Sequence, residues 1–363
     1  MNPLRTLPLL SVAALMTLAG CSKEKPTQAV QQAGSAIAVV TTNSQNTEGN
    51  ISMYRSATGI TDNNLMTLGG DGVAFSYDSN LYLIDRTLAT LRKIRGSVVD
   101  SQHVDYEINV GAASNPQAIA FASPQKGYLT RLSALNLLII NPATGDSIGA
   151  LSFAGYVNAS TGPFPMMASA VISNGKLYVA CQRLSASWGF GDSSLVVIVN
   201  TANDFIEKAV SLYNYNPADM KAVDGKLYVA CSGDWSLMDG GIERIDLATG
   251  VNEGMIMSEA AMAGTLSSIE IVSASKAYIM VATAAWVNEI HPLNLTLQTL
   301  GAKLAFVNNA AYYNPVVFDG YYAYIGDRGG ATPGLVKVDP ATDAQVGATI
   351  PMGLLPYALS VLK

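Results

Sequence analysis

The residues of this 363-residue chain with the strongest chemical character are its three tryptophans. Each follows the end of an apolar, β-type run by a few positions. Trp188 lies in Gln182-Arg183-Leu184-Ser185-Ala186-Ser187-Trp188-Gly189-Phe190-Gly191-Asp192, Trp235 in Ser232-Gly233-Asp234-Trp235-Ser236-Leu237-Met238, and Trp286 in Ala282-Thr283-Ala284-Ala285-Trp286. Three arginines, Arg131, Arg183 and Arg328, fall at equivalent places. Segments leading into the next run add Tyr156, Phe164, Tyr213, Tyr215, Tyr312, Tyr313 and Tyr357, with Asn46, Asn158 and Asn214 as amides. Aromatic rings give contact area at low entropy cost, and arginine adds stacking and a fork of donors. This is the chemistry of capture. For any one tyrosine the alternative is packing between elements or plugging a channel mouth. The grouping of all three tryptophans in one kind of loop argues against that alternative for them.

Bond-making chemistry is poorly represented. Neither His103, in a polar stretch, nor His291, placed in a tight turn, has the spacing of a zinc or copper site. There is no Cys-x-x-Cys-His for haem attachment and no Gly-x-Ser-x-Gly elbow. Asp234, Asp239, Glu243 and Asp327 are the acids that could pair in space, with solvated turns as their plainer role. No cofactor is called for, and the expectation is a protein that is not an enzyme. A formal charge of −6 without a basic patch excludes a nucleic-acid binder.

The elements that must position these groups come from a repeat. Gly175-Lys176-Leu177-Tyr178-Val179-Ala180-Cys181 recurs unchanged as Gly225-Lys226-Leu227-Tyr228-Val229-Ala230-Cys231. Looser copies begin at Asn80, Lys126, Lys276 and Tyr322, and a degenerate one at Ser35. Each stands behind a turn signal such as Asn174-Gly175 or Asp224-Gly225 and reads as the second strand of a hairpin. A second marker follows each copy: Asn141-Pro142-Ala143-Thr144-Gly145, Asp246-Leu247-Ala248-Thr249-Gly250 and Asp339-Pro340-Ala341-Thr342-Asp343, with weaker versions from Arg55, Arg95, Asn200 and His291. In the second unit Ile84-Asp85-Arg86-Thr87 competes with Arg95 for that role.

Strand, tight turn, strand, longer loop, strand, tight turn, strand is one propeller blade. The chain is therefore expected to be all-β: a seven-bladed β-propeller of four-stranded blades over residues 35–363. Six or eight blades are the alternatives. The last segment, Leu355 to Leu362, has a first strand and lacks partners, while Ala36 to Leu68 has partners and lacks a first strand. Joining them closes the ring and removes sheet edges. Tight turns then share one face, and the loops bearing the tryptophans share the other. Cys181 and Cys231 occupy equivalent positions on neighbouring blades, too far apart for a disulfide, and are expected to be free thiols. The pattern resembles the YVTN-type (YncE-like) repeat propellers, best at Ile245-Asp246-Leu247-Ala248-Thr249-Gly250 and Val338-Asp339-Pro340-Ala341-Thr342. That resemblance speaks for fold and is weak for function.

Ahead of the repeats, Arg5 and an apolar run from Leu7 to Ala19 form a leader too short to span a bilayer comfortably. Leu18-Ala19-Gly20-Cys21 resembles the lipobox of bacterial lipoproteins. The resemblance implies removal of residues 1–20 and a lipid anchor on Cys21, the start of a flexible tether running to residue 34. Ser22, where an Asp would imply inner-membrane retention, implies the outer membrane, with the side left open. The expected function is a lipoprotein that binds a ligand on its aromatic loop face: a bulky nutrient such as a corrinoid held beside an outer-membrane transporter, a glycan, or a peptide. The alternatives are an envelope protein–protein scaffold and, further off, a lyase or lactonase.

Overall fold

The computed structural model describes residues 34–362 apart from Ser97 and Ser236. The expected leader, Cys21 and the tether as far as Ala33 lie outside the described residues.

Every repeated run forms a second strand. These strands are Ala36–Thr42, Asn80–Asp85, Lys126–Arg131, Lys176–Cys181, Lys226–Cys231, Lys276–Ala282 and Ala323–Asp327. Each belongs to its own antiparallel sheet, and there are seven sheets among the described residues. The protein is a seven-bladed β-propeller. In blades one and seven the outermost strand is split in two. The ring closes as expected, with Leu355–Leu362 antiparallel to Ala36–Thr42.

Local chemistry dictates these hairpins. In the turns before three of the second strands, both central residues are left-handed: Asp78 and Ser79, Asn174 and Gly175, Asp224 and Gly225. That is the geometry whose twist matches the flanking strands, and Asn, Asp and Gly tolerate it best. One marker is corrected. His291 lies inside the third strand of blade six, Asn288–Asn294, and the turn starts at Asn294. The Asn294 side chain accepts from the Thr296 and Leu297 amides and so fixes the turn there rather than at Pro292. In blade two, Asp85-Arg86-Thr87 belongs to the second-to-third connection, and Arg95 begins the third-to-outermost one.

Blades are joined by two devices. Apolar clusters straddle neighbours: Tyr178 and Val196 of blade four pack with Met220 and Val229 of blade five. In addition, the repeat tyrosine of one blade donates to the third-to-outermost turn of the next. Tyr82 reaches the Pro142 carbonyl (3.3 Å), Tyr128 the Asp204 carboxylate (2.5 Å), Tyr178 the Leu247 carbonyl (3.5 Å) and Tyr278 the Asp343 carboxylate (2.5 Å). The two sequence signatures are thus the two halves of one inter-blade staple. Cys181 and Cys231 end equivalent second strands as buried free thiols, and burial pushes both thiols well above the ordinary range.

Candidate ligand funnel

The innermost strands are Leu355–Leu362, Gly72–Tyr77, Pro116–Ser123, Met167–Ser173, Pro217–Val223, Thr265–Ser273 and Val316–Phe318. They enclose a cavity of about 1070 Å³ that opens among the second-to-third loops. Its walls are largely apolar, with Val73, Ile119 and Leu359 among them, and Phe121 lies deep, stacked on Tyr77 at 4.6 Å. All three tryptophans line the mouth.

Two of these tryptophans sit where glycine usually does. In Ser185–Gly189 the Trp188 amide donates to the Ser185 carbonyl (2.9 Å) and the Ser185 amide to the Gly189 carbonyl (2.9 Å). In Thr283–Val287 the same two bonds recur, Trp286 to Thr283 (2.8 Å) and Thr283 to Val287 (2.9 Å). The fourth residue of this turn must be left-handed, and Trp188 (φ +67°) and Trp286 (φ +58°) are. Each pays about 1–2 kcal/mol for that conformation. Their rings stay 62% and 68% exposed, and Trp235 is 50% exposed, so burial in the protein returns little. Strained backbone beneath an exposed ring is a feature of binding surfaces. Trp235 and Trp286, from adjacent blades, stand 6.4 Å apart at 33°.

The other expected contact residues divide. Tyr313 lines the funnel, as do Tyr312 and Asn46 from their loops and Tyr357 from within the innermost strand of blade one. Arg131, Arg183 and Arg328 do not line it. Arg183 donates to the Tyr156 carbonyl (2.8 Å), the Ser193 carbonyl (2.5 Å) and Asp192 (2.7 Å), which fixes the base of the Trp188 loop. Arg328 donates to the Pro356 carbonyl (2.7 Å) and Asn46 (3.0 Å). Arg131 donates to the Val110 and Asn136 carbonyls and borders a separate, shallower cleft with Asp146. A guanidinium at a loop base satisfies the loop's carbonyls before it can serve a ligand. Phe190 packs edge-on against Tyr215 at 5.3 Å, beside the funnel rather than in it, and Tyr156 packs against Phe153.

The arginine that does line the funnel is Arg86, which the sequence reading treated only as part of a turn. It grips Asp71 through Nε and Nη2 (2.9 and 2.5 Å), donates to Gln117 (3.1 Å) and stacks on Tyr313 at 3.7 Å. Deeper in the wall, Lys221 lies between Asp219 (3.7 Å) and Glu270 (3.4 Å) on adjacent innermost strands. Asp219 also accepts from the Ser268 hydroxyl and the Ile269 amide. Burial pushes the Glu270 carboxyl up, against the pull of Lys221. A signal for this group existed: Asp219 and Lys221 are charges two apart in an innermost strand, so both fall on one side of it.

Behind the mouth, Glu259 accepts from the Gly240 amide (2.9 Å) and the Leu266 amide (2.7 Å) and anchors the Trp235 loop. Burial raises its carboxyl to about 7. Glu243 and Asp327 order loop backbone in the same way, as does Asp239, which accepts from the Asp234 amide. Among the described residues no group of three or more His, Cys, Asp or Glu is arranged to hold a metal ion.

Fold and funnel define a ring propeller with one aromatic-rimmed opening. No family model matches the chain, and no curated protein matches it in sequence. Solved structures match its fold. A candidate 6-phosphogluconolactonase of Bacteroides fragilis aligns with TM-score 0.64 and 12% identity over 92% of this chain and 99% of that one. AztD of Citrobacter koseri, in its apo form, gives 0.55 and 9% over 90% and 98%. The dihydro-heme d1 dehydrogenase NirN in complex with DHE gives 0.55 and 13% over 89% and 74%. At these identities the likeness is one of fold.

Proposed function

We propose that this protein captures a bulky organic ring compound in the funnel, with Trp188, Trp235 and Trp286 as its contact surface. The observation that carries this reading is three largely exposed tryptophans around one opening, two of them held in left-handed backbone. The cavity is at the upper end of the size range of small-molecule sites, which suits a corrinoid-sized ligand better than a monosaccharide. NirN offers a propeller of this fold with DHE bound. The Leu18-Ala19-Gly20-Cys21 motif supports export and a lipid anchor on Cys21, hence a capture protein of the outer membrane that hands its ligand to a transporter. A second reading, a protein partner seated on this face, is favoured by Phe190 and Tyr213, exposed outside the funnel. In both readings the face binds and performs no reaction.

The test is a titration of lipid-free residues 22–363 with cobalamin, haem, oligosaccharides and short peptides, followed by tryptophan emission corrected for inner-filter absorption. A saturable change that weakens when Trp188, Trp235 or Trp286 becomes Phe supports capture. A flat response to the whole panel from folded protein moves the reading to a protein partner.

A further inference from the structure

Taking the funnel as the binding site, we infer that it accepts ring compounds that are uncharged or cationic and rejects anionic ones. The argument rests on which polar groups in its wall are left for a ligand. The charged residues lining it are Arg86, Asp219, Lys221 and Glu270. Both cations are already engaged. Arg86 directs two nitrogens at Asp71 and a third at Gln117, and Lys221 faces two carboxylates. With Asp71 counted beside its arginine, three carboxylates face two cations, inside a chain of net charge −6. A sulfonate, phosphate or carboxylate entering the funnel meets no unpaired positive group among the described residues, and at low salt the excess carboxylate repels it.

What the wall leaves open is neutral. The Ser232 and Ser267 hydroxyls line the same cavity, are buried, and have no protein partner. Ser232 is fully buried beside the Trp235 loop. A buried hydroxyl without a partner is a polar group available to a ligand. The tryptophan faces at the mouth attract cations as well as apolar rings. Unengaged hydroxyls, ring faces and a slight excess of negative charge together describe a site for neutral or cationic ring systems.

The chain's three tryptophans all line this cavity, so energy transfer from tryptophan to a bound fluorescent probe is strongest from the funnel. The probes are N-phenyl-1-naphthylamine, which is uncharged, and 8-anilino-1-naphthalenesulfonate, the same ring framework carrying a sulfonate. The uncharged probe should bind the lipid-free mature chain at least tenfold more tightly. Raising salt from 50 to 500 mM should tighten the sulfonate relative to the uncharged probe, because screening relieves repulsion. Glu270→Gln should tighten the sulfonate at least fivefold and change the uncharged probe less than twofold. Equal affinities, or a sulfonate that weakens with salt as one held by a free cation would, overturn the charge inference and leave the funnel reading intact. No transfer to either probe overturns both. The salt and probe comparisons use the unaltered chain, so they decide the matter even if Glu270→Gln fails to fold.

Discussion

The left-handed tryptophans make a prediction about stability that runs against ordinary expectation. In most positions glycine is less stable than alanine by about 0.5–1 kcal/mol, because it loses more backbone freedom on folding. At Trp188 the backbone is held at φ +67° by the two hydrogen bonds of the Ser185–Gly189 turn. There alanine keeps the left-handed penalty of about 1–2 kcal/mol and glycine does not. Trp188→Gly should therefore exceed Trp188→Ala by roughly 0.5–1 kcal/mol, once the entropic cost of glycine is subtracted. Both variants remove the same ring, so its partial packing cancels in the comparison. With a urea slope of about 3 kcal/mol per molar, the midpoints should differ by roughly 0.2–0.3 M, read by far-ultraviolet circular dichroism. The same order should hold at Trp286, whose φ is +58°. Both pairs of variants should lose ligand capture to the same extent. An alanine variant as stable as its glycine counterpart, or more so, would show that these turns carry no strain and that the tryptophans are not held there at a cost.

Tyr278→Phe should lower stability by about 1–2 kcal/mol in urea unfolding, since it removes a staple to the Asp343 carboxylate in the next blade. Cys181 and Cys231, buried and with raised thiol pKa, should not react with Ellman's reagent at pH 8 in the folded chain, and both should react in denaturant. Glu259, raised from 4.5 to about 7, holds its proton longer in the folded state than in the unfolded one. Its contribution to stability is therefore full below about pH 4.5 and is lost as pH rises towards 7. Glu259→Gln should flatten that slope. It should also abolish a change in tryptophan emission centred near pH 7, which the anchored Trp235 loop reports; an unaltered emission titration in the variant would assign the change elsewhere.

The blades were legible because their second strands are apolar runs, buried almost throughout, that recur from blade to blade, and because Asn174-Gly175 and Asp224-Gly225 name their turn type outright. The ring closure followed from a lone first strand at the C-terminal end and a first unit that lacks one. The tryptophans were legible as loop residues because their positions are set by strand ends. The arginines were misleading: whether a guanidinium faces a ligand or its own loop depends on carbonyls brought up by distant segments, as Tyr156 is brought to Arg183. Arg86 was hidden for the complementary reason. It sits in an ordinary turn, and only Asp71 and Tyr313, supplied by other parts of the ring, aim it into the mouth. Asp219, Lys221 and Glu270 meet across two blades, a neighbourhood that exists only once the innermost strands converge.

The closure of the ring also fixes where the two ends of the propeller lie. Ala36 begins a second strand, so the chain enters the propeller on the face of the tight turns. Leu362 ends an innermost strand and leaves on that same face. The funnel opens on the opposite one. A bulky cargo, or a partner receiving that cargo, can therefore approach the funnel from the solvent without passing either end of the propeller.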